Sequence, residues 1–325
     1  WHTLSLHDAL PILLMGRTLV AVAIALLLAG PAAAENYKGF ERGDALITVE
    51  ELKGMMDDPD LVLIAVAKPE SFKLGHIPGS LNVWRPDYEP EEGNPFPFGG
   101  MMLDRESFQE FARNLGVNND SNVVLYDEKY DATRLWWAFY MYGKPDVRIV
   151  DGGYPAWKAA GYDVDRALFS PEADEKGDFV AKPRNENLYA SMDEVWWAKE
   201  GADSQLWDTR EEDEWTGEKL KKGAFREGRI PWAKFQNWKE FKAKVSDDEK
   251  NPTAFKDAAG IQQVIDSYGM DSGKTQIFYC QSGVRTTTNM FALYLMGWNP
   301  DQLANYDGSW IEWSYYEKNP VVDEK

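Results

Sequence analysis

Ile277-Phe278-Tyr279-Cys280-Gln281-Ser282-Gly283-Val284-Arg285-Thr286-Thr287-Thr288 contains the only cysteine of the chain. The apolar run Ile277 to Tyr279 reads as a buried strand that stops at Cys280. Gly283 permits a tight loop, and the spacing of Met290, Phe291, Leu293, Tyr294 and Leu295 predicts a helix from about Val284. A sulfur at such a junction lies beside free backbone N–H groups. Those donors and the helix dipole favour a thiolate and any anion bound next to it. By itself the stretch leaves two readings open: a reactive thiol in a backbone cradle, or a structural cysteine at a strand end.

Outward from this stretch the chain repeats itself. In the first half, Thr48-Val49-Glu50-Glu51 carries a capping-box pattern, Leu61 to Val66 reads as a buried strand, and Gly75-His76-Ile77-Pro78 as a turn. Asp104 caps a predicted helix, Val123 to Tyr126 is a strand, Ala132 to Tyr142 a helix, and Asp151-Gly152-Gly153-Tyr154-Pro155-Ala156-Trp157 opens another. Roughly 150 residues later Gly228-Arg229-Ile230-Pro231, Phe278-Tyr279-Cys280 and Asp307-Gly308-Ser309-Trp310 follow in the same order, as expected for two copies of one domain. Strands alternating with helices predict an α/β fold, each copy a mainly parallel sheet flanked by helices. The expected division is 1–34 outside the fold, 35–164 as the first domain, 165–186 as a polar linker and 187–325 as the second domain. Asp127 stands in the first copy where Cys280 stands in the second. A carboxylate cannot do a thiolate's sulfur chemistry, so the first domain is expected to be a non-catalytic wall of the cleft.

Composition narrows the function. The net charge of −19 lacks any basic stripe and argues against a nucleic-acid partner. From Met15 a charged start, the apolar run Thr18 to Ala29 and Ala32-Ala33-Ala34 form a secretory signal pattern, with cleavage expected after Ala34, export to the periplasm or medium, and no membrane anchor afterwards. Residues 1–14 precede a plausible start methionine and read as upstream translation or artefact. Of three histidines only His76 lies beyond this region, so a His/Cys metal cluster is out of reach. A single cysteine forms no internal disulfide.

Cys280-Gln281-Ser282-Gly283-Val284-Arg285 resembles the six-residue active loop of the rhodanese family of tandem-domain sulfurtransferases. His76-Ile77-Pro78-Gly79-Ser80, Asp208-Thr209-Arg210 and Asp307-Gly308-Ser309-Trp310-Ile311-Glu312-Trp313 support the resemblance, which spans about Tyr37 to Tyr316. It implies two rhodanese-like domains with catalysis in the second. Cys280 is then the nucleophile that takes sulfur from a small anionic donor and passes it to cyanide, a small thiol or a protein thiol, without a cofactor. It also implies that Gln281, Ser282, Gly283, Val284, Arg285 and Thr286 contact the donor. Arg210 would face the donor's anionic end, and His76 would match an interface histidine of one subfamily. The neutral Gln281-Ser282 pair is closer to mercaptopyruvate-type loops, whereas Arg285 departs from them. Thiosulfate is the leading donor and 3-mercaptopyruvate the alternative.

Two other classes compete. Cysteine phosphatases and arsenate reductases place five residues between Cys and Arg to wrap an oxyanion, and only Gln281 to Val284 intervene here. A persulfide carrier that loads once without turnover would have the same sequence.

Overall fold

The computed structural model describes residues 36–91, 93, 95–166 and 173–324. The expected leader, residues 1–34, therefore lies outside the described residues, as do residues 167–172 of the expected linker.

The first domain alternates β1 (Leu46–Ile47), α1 (Val49–Met55), β2 (Leu61–Val66), α2 (Pro69–Leu74), β3 (Leu81–Val83), α3 (Arg105–Asn114), β4 (Asn122–Tyr126), α4 (Asp131–Met141), β5 (Arg148–Val150) and α5 (Gly153–Ala159). Its sheet has the order β1-β5-β4-β2-β3 with every pairing parallel. Helices cover both faces, which is why Val123 to Tyr126 in β4 are all buried rather than alternating. The capping box at Thr48 forms: Glu51 N–H donates to Thr48 Oγ1 while Thr48 N–H donates to Glu51 Oε2.

The second domain repeats the plan with β6 (Tyr189–Ala190), α6 (Met192–Trp197), β7 (Ser204–Asp208), α7 (Glu212–Trp215) and β8 (Lys234–Phe235). An antiparallel pair, β9 (Lys242–Ala243) and β10 (Ala254–Phe255), intervenes before α8 (Ala258–Tyr268), β11 (Thr275–Tyr279), α9 (Arg285–Leu295), β12 (Leu303–Tyr306) and α10 (Ser309–Tyr315). The five-stranded order is β6-β12-β11-β7-β8, again all parallel. Each strand occupies its counterpart's place in the first sheet. Even a side-chain contact recurs: Ile77 N–H donates to the Tyr126 phenol at 3.0 Å, and Ile230 N–H to the Tyr279 phenol at 3.2 Å.

The copies join through α4 and α9. Thr133 Oγ1 lies 2.9 Å from Thr287 Oγ1, and the Trp136 ring meets Phe291 edge-on at 4.7 Å. One apolar core runs from Leu125 and Trp137 through to Phe278 and Phe291, while separate clusters around Trp157 and around Trp310 and Trp313 fill the outer faces. After residue 172 the linker lies along the first domain, with Phe179 buried and its N–H donating to the Val117 carbonyl. β11 sits centrally between β7 and β12, so its carboxyl end opens where connections leave in opposite directions. Ligand crevices of open α/β sheets form at such points. Among the described residues no helix is long and apolar enough to cross a membrane.

Candidate active site

β11 delivers Cys280 to this edge, and the start of α10 fixes the loop that follows. Trp310 N–H donates to the Cys280 carbonyl at 3.0 Å and Ile311 N–H to the Gln281 carbonyl at 3.1 Å. Ser309 Oγ accepts from Cys280 N–H at 3.1 Å and from Gly283 N–H at 2.9 Å, and donates to the Tyr306 carbonyl. The Gly283 carbonyl takes Arg134 Nη1 from the first domain at 2.8 Å and Asn305 Nδ2 at 3.1 Å. With the carbonyls held this way, the N–H groups of Ser282, Arg285 and Thr286 serve the sulfur. Gly283 is required here: its φ is +66°, and a Cβ would lie 2.7 Å from Arg134 Nη1 and 2.8 Å from the Asp307 carbonyl oxygen.

Burial, at 1% exposure, would by itself push the Cys280 thiol up. The Arg285 guanidinium, followed by those three N–H groups, outweighs it and holds the thiol below its ordinary range. Arg285 is itself buried and forms a two-pronged pair with Glu214 of α7, at 2.6 and 2.9 Å. Lys221 Nζ reaches the same carboxylate at 3.1 Å. Burial would raise the Glu214 carboxyl, but these two cations bring it down to about 2.

The first domain closes over the loop. Arg134, fully buried, pairs with Asp307 at 2.8 Å and donates through Nη2 to the Gly100 carbonyl at 2.7 Å. Asp307 Oδ2 accepts from Met102 N–H at 2.7 Å. Gly100 lies so near Ser282 that a Cβ would come within 2.8 Å of the serine's own Cβ. Phe98 and Met101 pack on Ile311.

The expected donor contacts fall into two groups. Cys280, Gln281, Ser282, Gly283, Val284, Arg285 and Thr286 form one cradle. Gln281 and Ser282 are half-buried, Val284 is buried at the helix cap, and Gln281 Nε2 is tied to the Lys222 carbonyl at 3.2 Å. Thr286 is buried in the first turn of α9, and its Oγ1 has no hydrogen-bond partner among the described residues.

Arg210 and His76 are placed differently from expectation. The Arg210 guanidinium folds back onto Asp208, with Nη2 at 2.6 Å, and onto the Gly228 carbonyl at 2.8 Å. It stacks over Trp310 at 4.6 Å. The carboxylate two residues upstream takes the charge that was expected to meet the donor. His76 is buried in the first domain, stacked on Phe72 at 3.6 Å with Nδ1 2.9 Å from the Phe72 carbonyl oxygen, and its backbone pairs with Asp165. It belongs to the first domain's own packing rather than to the interface.

Sequence reasoning missed Glu214, Lys221, Arg134 and the anchoring role of Ser309. Asp307-Gly308-Ser309 was visible as a repeat landmark, but nothing in the sequence showed that Ser309 turns its hydroxyl onto the cysteine loop.

The rhodanese-like domain family matches twice, over residues 48–160 and 191–315. The sulfur carrier protein TtuD of Thermus thermophilus is 29% identical over 87% of this chain and 98% of its own length. A putative thiosulfate sulfurtransferase of Haloferax volcanii is 30% identical over 82% of this chain and 90% of its own. The Escherichia coli 3-mercaptopyruvate sulfurtransferase SseA has the same fold, with a TM-score of 0.68 at 24% identity over 82% of this chain and 98% of that one. A complex of EanB with ergothioneine superposes with a TM-score of 0.75 at 23% identity, covering 88% of this chain and 71% of that one. The two domain matches, which together span most of the chain, and the 30% identity to the Haloferax volcanii relative lead to one conclusion: this chain belongs to the rhodanese family of sulfurtransferases.

Proposed function

We propose that the chain moves a sulfane sulfur from thiosulfate to a thiophilic acceptor through a persulfide on Cys280. The observation that carries this reading is the buried thiol held below its usual pKa inside a ring of N–H groups beside Arg285. The Cys280 thiolate attacks the outer sulfur of thiosulfate. A new S–S bond forms on the enzyme, the donor's S–S bond breaks, and sulfite leaves with the electron pair. The persulfide anion inherits the thiolate's charge and the same N–H cradle. An acceptor, cyanide or a thiol, then attacks the outer sulfur and returns the thiolate. Each step conserves charge and needs no redox partner.

Relatives named thiosulfate sulfurtransferase support this donor, and the fold neighbour named for 3-mercaptopyruvate supports the alternative. Steady-state thiocyanate formation with each donor ranks them, and parallel double-reciprocal lines are expected for the two-step cycle. The relative named a sulfur carrier supports a second reading, in which the protein loads one sulfur and stops. A single turnover with no steady state on either donor would favour that reading. Export rests on the Met15 to Ala34 pattern, and amino-terminal sequencing of protein recovered from the cell envelope tests it: a start at Glu35 is expected, and a retained Met15 would contradict it.

A further inference from the structure

The arginine expected to grip the donor is folded onto Asp208, and both prongs of Arg285 are taken by Glu214. A persulfide-forming site still needs a positive charge for the anionic end of its donor. Lys221 is a further cation near Cys280: it shares the Glu214 carboxylate with Arg285, but its side chain is a third exposed, whereas that of Arg285 is buried.

Lys221 lines an open cleft of about 630 Å³ on the surface of the second domain, next to α7. The other lysines of that cleft are paired: Lys219 with Asp213 at 2.8 Å and Lys239 with Glu211 at 3.0 Å. Glu212 and Glu218 are exposed at the rim. Lys221 is paired as well, but its partner is the buried Glu214 carboxylate, 3.1 Å away, which Arg285 already holds from the other side. The adjoining carbonyl, of Lys222, takes the Gln281 side chain, so this segment is fastened to the cysteine loop. The charges settle the role. Arg285 and Lys221 together balance Glu214 and a Cys280 thiolate. Without Lys221 the centre would carry a net negative charge before a negatively charged donor arrived.

We propose that Lys221 is the donor-binding cation of this site, taking the sulfonate or carboxylate end of an anionic sulfur donor. The inference rests on the sulfurtransferase reading and deepens it. Lys221 can give the donor a charge-assisted hydrogen bond without leaving a charge stranded, because Glu214 keeps Arg285. Removing it should therefore weaken donor binding while the Arg285–Glu214 pair keeps the fold of the site.

The test measures Cys280 persulfide by intact mass against thiosulfate concentration in the wild type and in Lys221→Met, Lys221→Arg and Lys219→Met. The half-saturating concentration is expected to rise about tenfold in Lys221→Met, with Lys221→Arg restoring most of the loss. Full loading should still be reached at high donor, so that KM moves and kcat moves little. Lys219→Met removes a cation already paired with Asp213 and should stay within about twofold of wild type. An unchanged concentration dependence in Lys221→Met, or equal shifts in both Met variants, would overturn the proposal while leaving the sulfurtransferase reading intact. Failure of the wild type to load from either thiosulfate or 3-mercaptopyruvate would overturn both.

Discussion

The Cys280 loop of the second domain and the Asp127 loop of the first have the same backbone construction and opposite electrostatics. In each, a helix start donates to the carbonyl at the strand end: Trp310 N–H to Cys280 and Tyr154 N–H to Asp127. In each, loop N–H groups converge on one side chain, and Asp127 accepts from Lys129 at 3.0 Å and Ala132 at 2.7 Å. Yet the Cys280 thiol is lowered, whereas burial pushes the Asp127 carboxyl up to about 6. The difference is in the neighbouring charges. Arg285, locked by Glu214, acts on the sulfur, while Lys242 stands over the Phe255 ring and only partly offsets the burial of Asp127, to which the Asp131 carboxylate adds. A cradle of N–H groups is thus not sufficient for a buried anion, and a fixed guanidinium decides which copy holds a stabilised one.

A second contrast lies one step away. Position 153 in the first copy is glycine at φ +53°, and position 309 in the second is serine at φ +49°. A serine there carries strain of about 1 kcal/mol or more. Its hydroxyl binds two N–H groups of the cysteine loop, which gives a physical reason for keeping it.

The comparison breaks hardest at Arg134, the first domain's contribution to the second domain's loop. Arg134→Ala leaves Asp307 buried without its partner, so a loss of about 3–5 kcal/mol is expected in urea unfolding. Next comes Asp127. Its pKa of about 6 in the fold exceeds the ordinary 3.8, so the folded state holds the proton more tightly between these values. Wild-type stability should therefore fall, relative to Asp127→Asn, by about 2–3 kcal/mol from pH 3.8 to above pH 6. A pH-independent difference would contradict the placement of Asp127. Arg285→Gln should slow alkylation of Cys280 at pH 7 about tenfold and move its pH midpoint upward. The smallest effect is expected for Ser309→Gly, which copies the first domain: stability within about 1 kcal/mol of wild type, as relieved strain offsets lost hydrogen bonds, with slower sulfur loading.

These contrasts also mark what the sequence could carry. Central strands such as β4 and β11 were legible because both faces are covered and the runs are uniformly apolar. The capping box at Thr48 formed because it depends on residues three apart. The two-residue strands β1 and β6 carry no periodicity and exist only through pairing with β5 and β12, and the β9–β10 pair is an insertion without a counterpart in the repeat. At the site, the cysteine cradle was legible because it is one continuous stretch. Arg134 with Asp307 and Arg285 with Glu214 were not, since each joins residues far apart in the chain through tertiary packing. Arg210 was read outward because a strand-end arginine at a ligand edge suggests anion binding. Asp208, at the end of β7 two residues upstream, draws it inward.

The central claim is that Cys280 alone carries transferable sulfur. Intact mass of the purified protein is measured after thiosulfate and again after cyanide, beside Cys280→Ser. A gain of about one sulfur mass that cyanide removes, absent from the variant, is the predicted result. No gain with thiosulfate or 3-mercaptopyruvate, or an equal gain in Cys280→Ser, would contradict it.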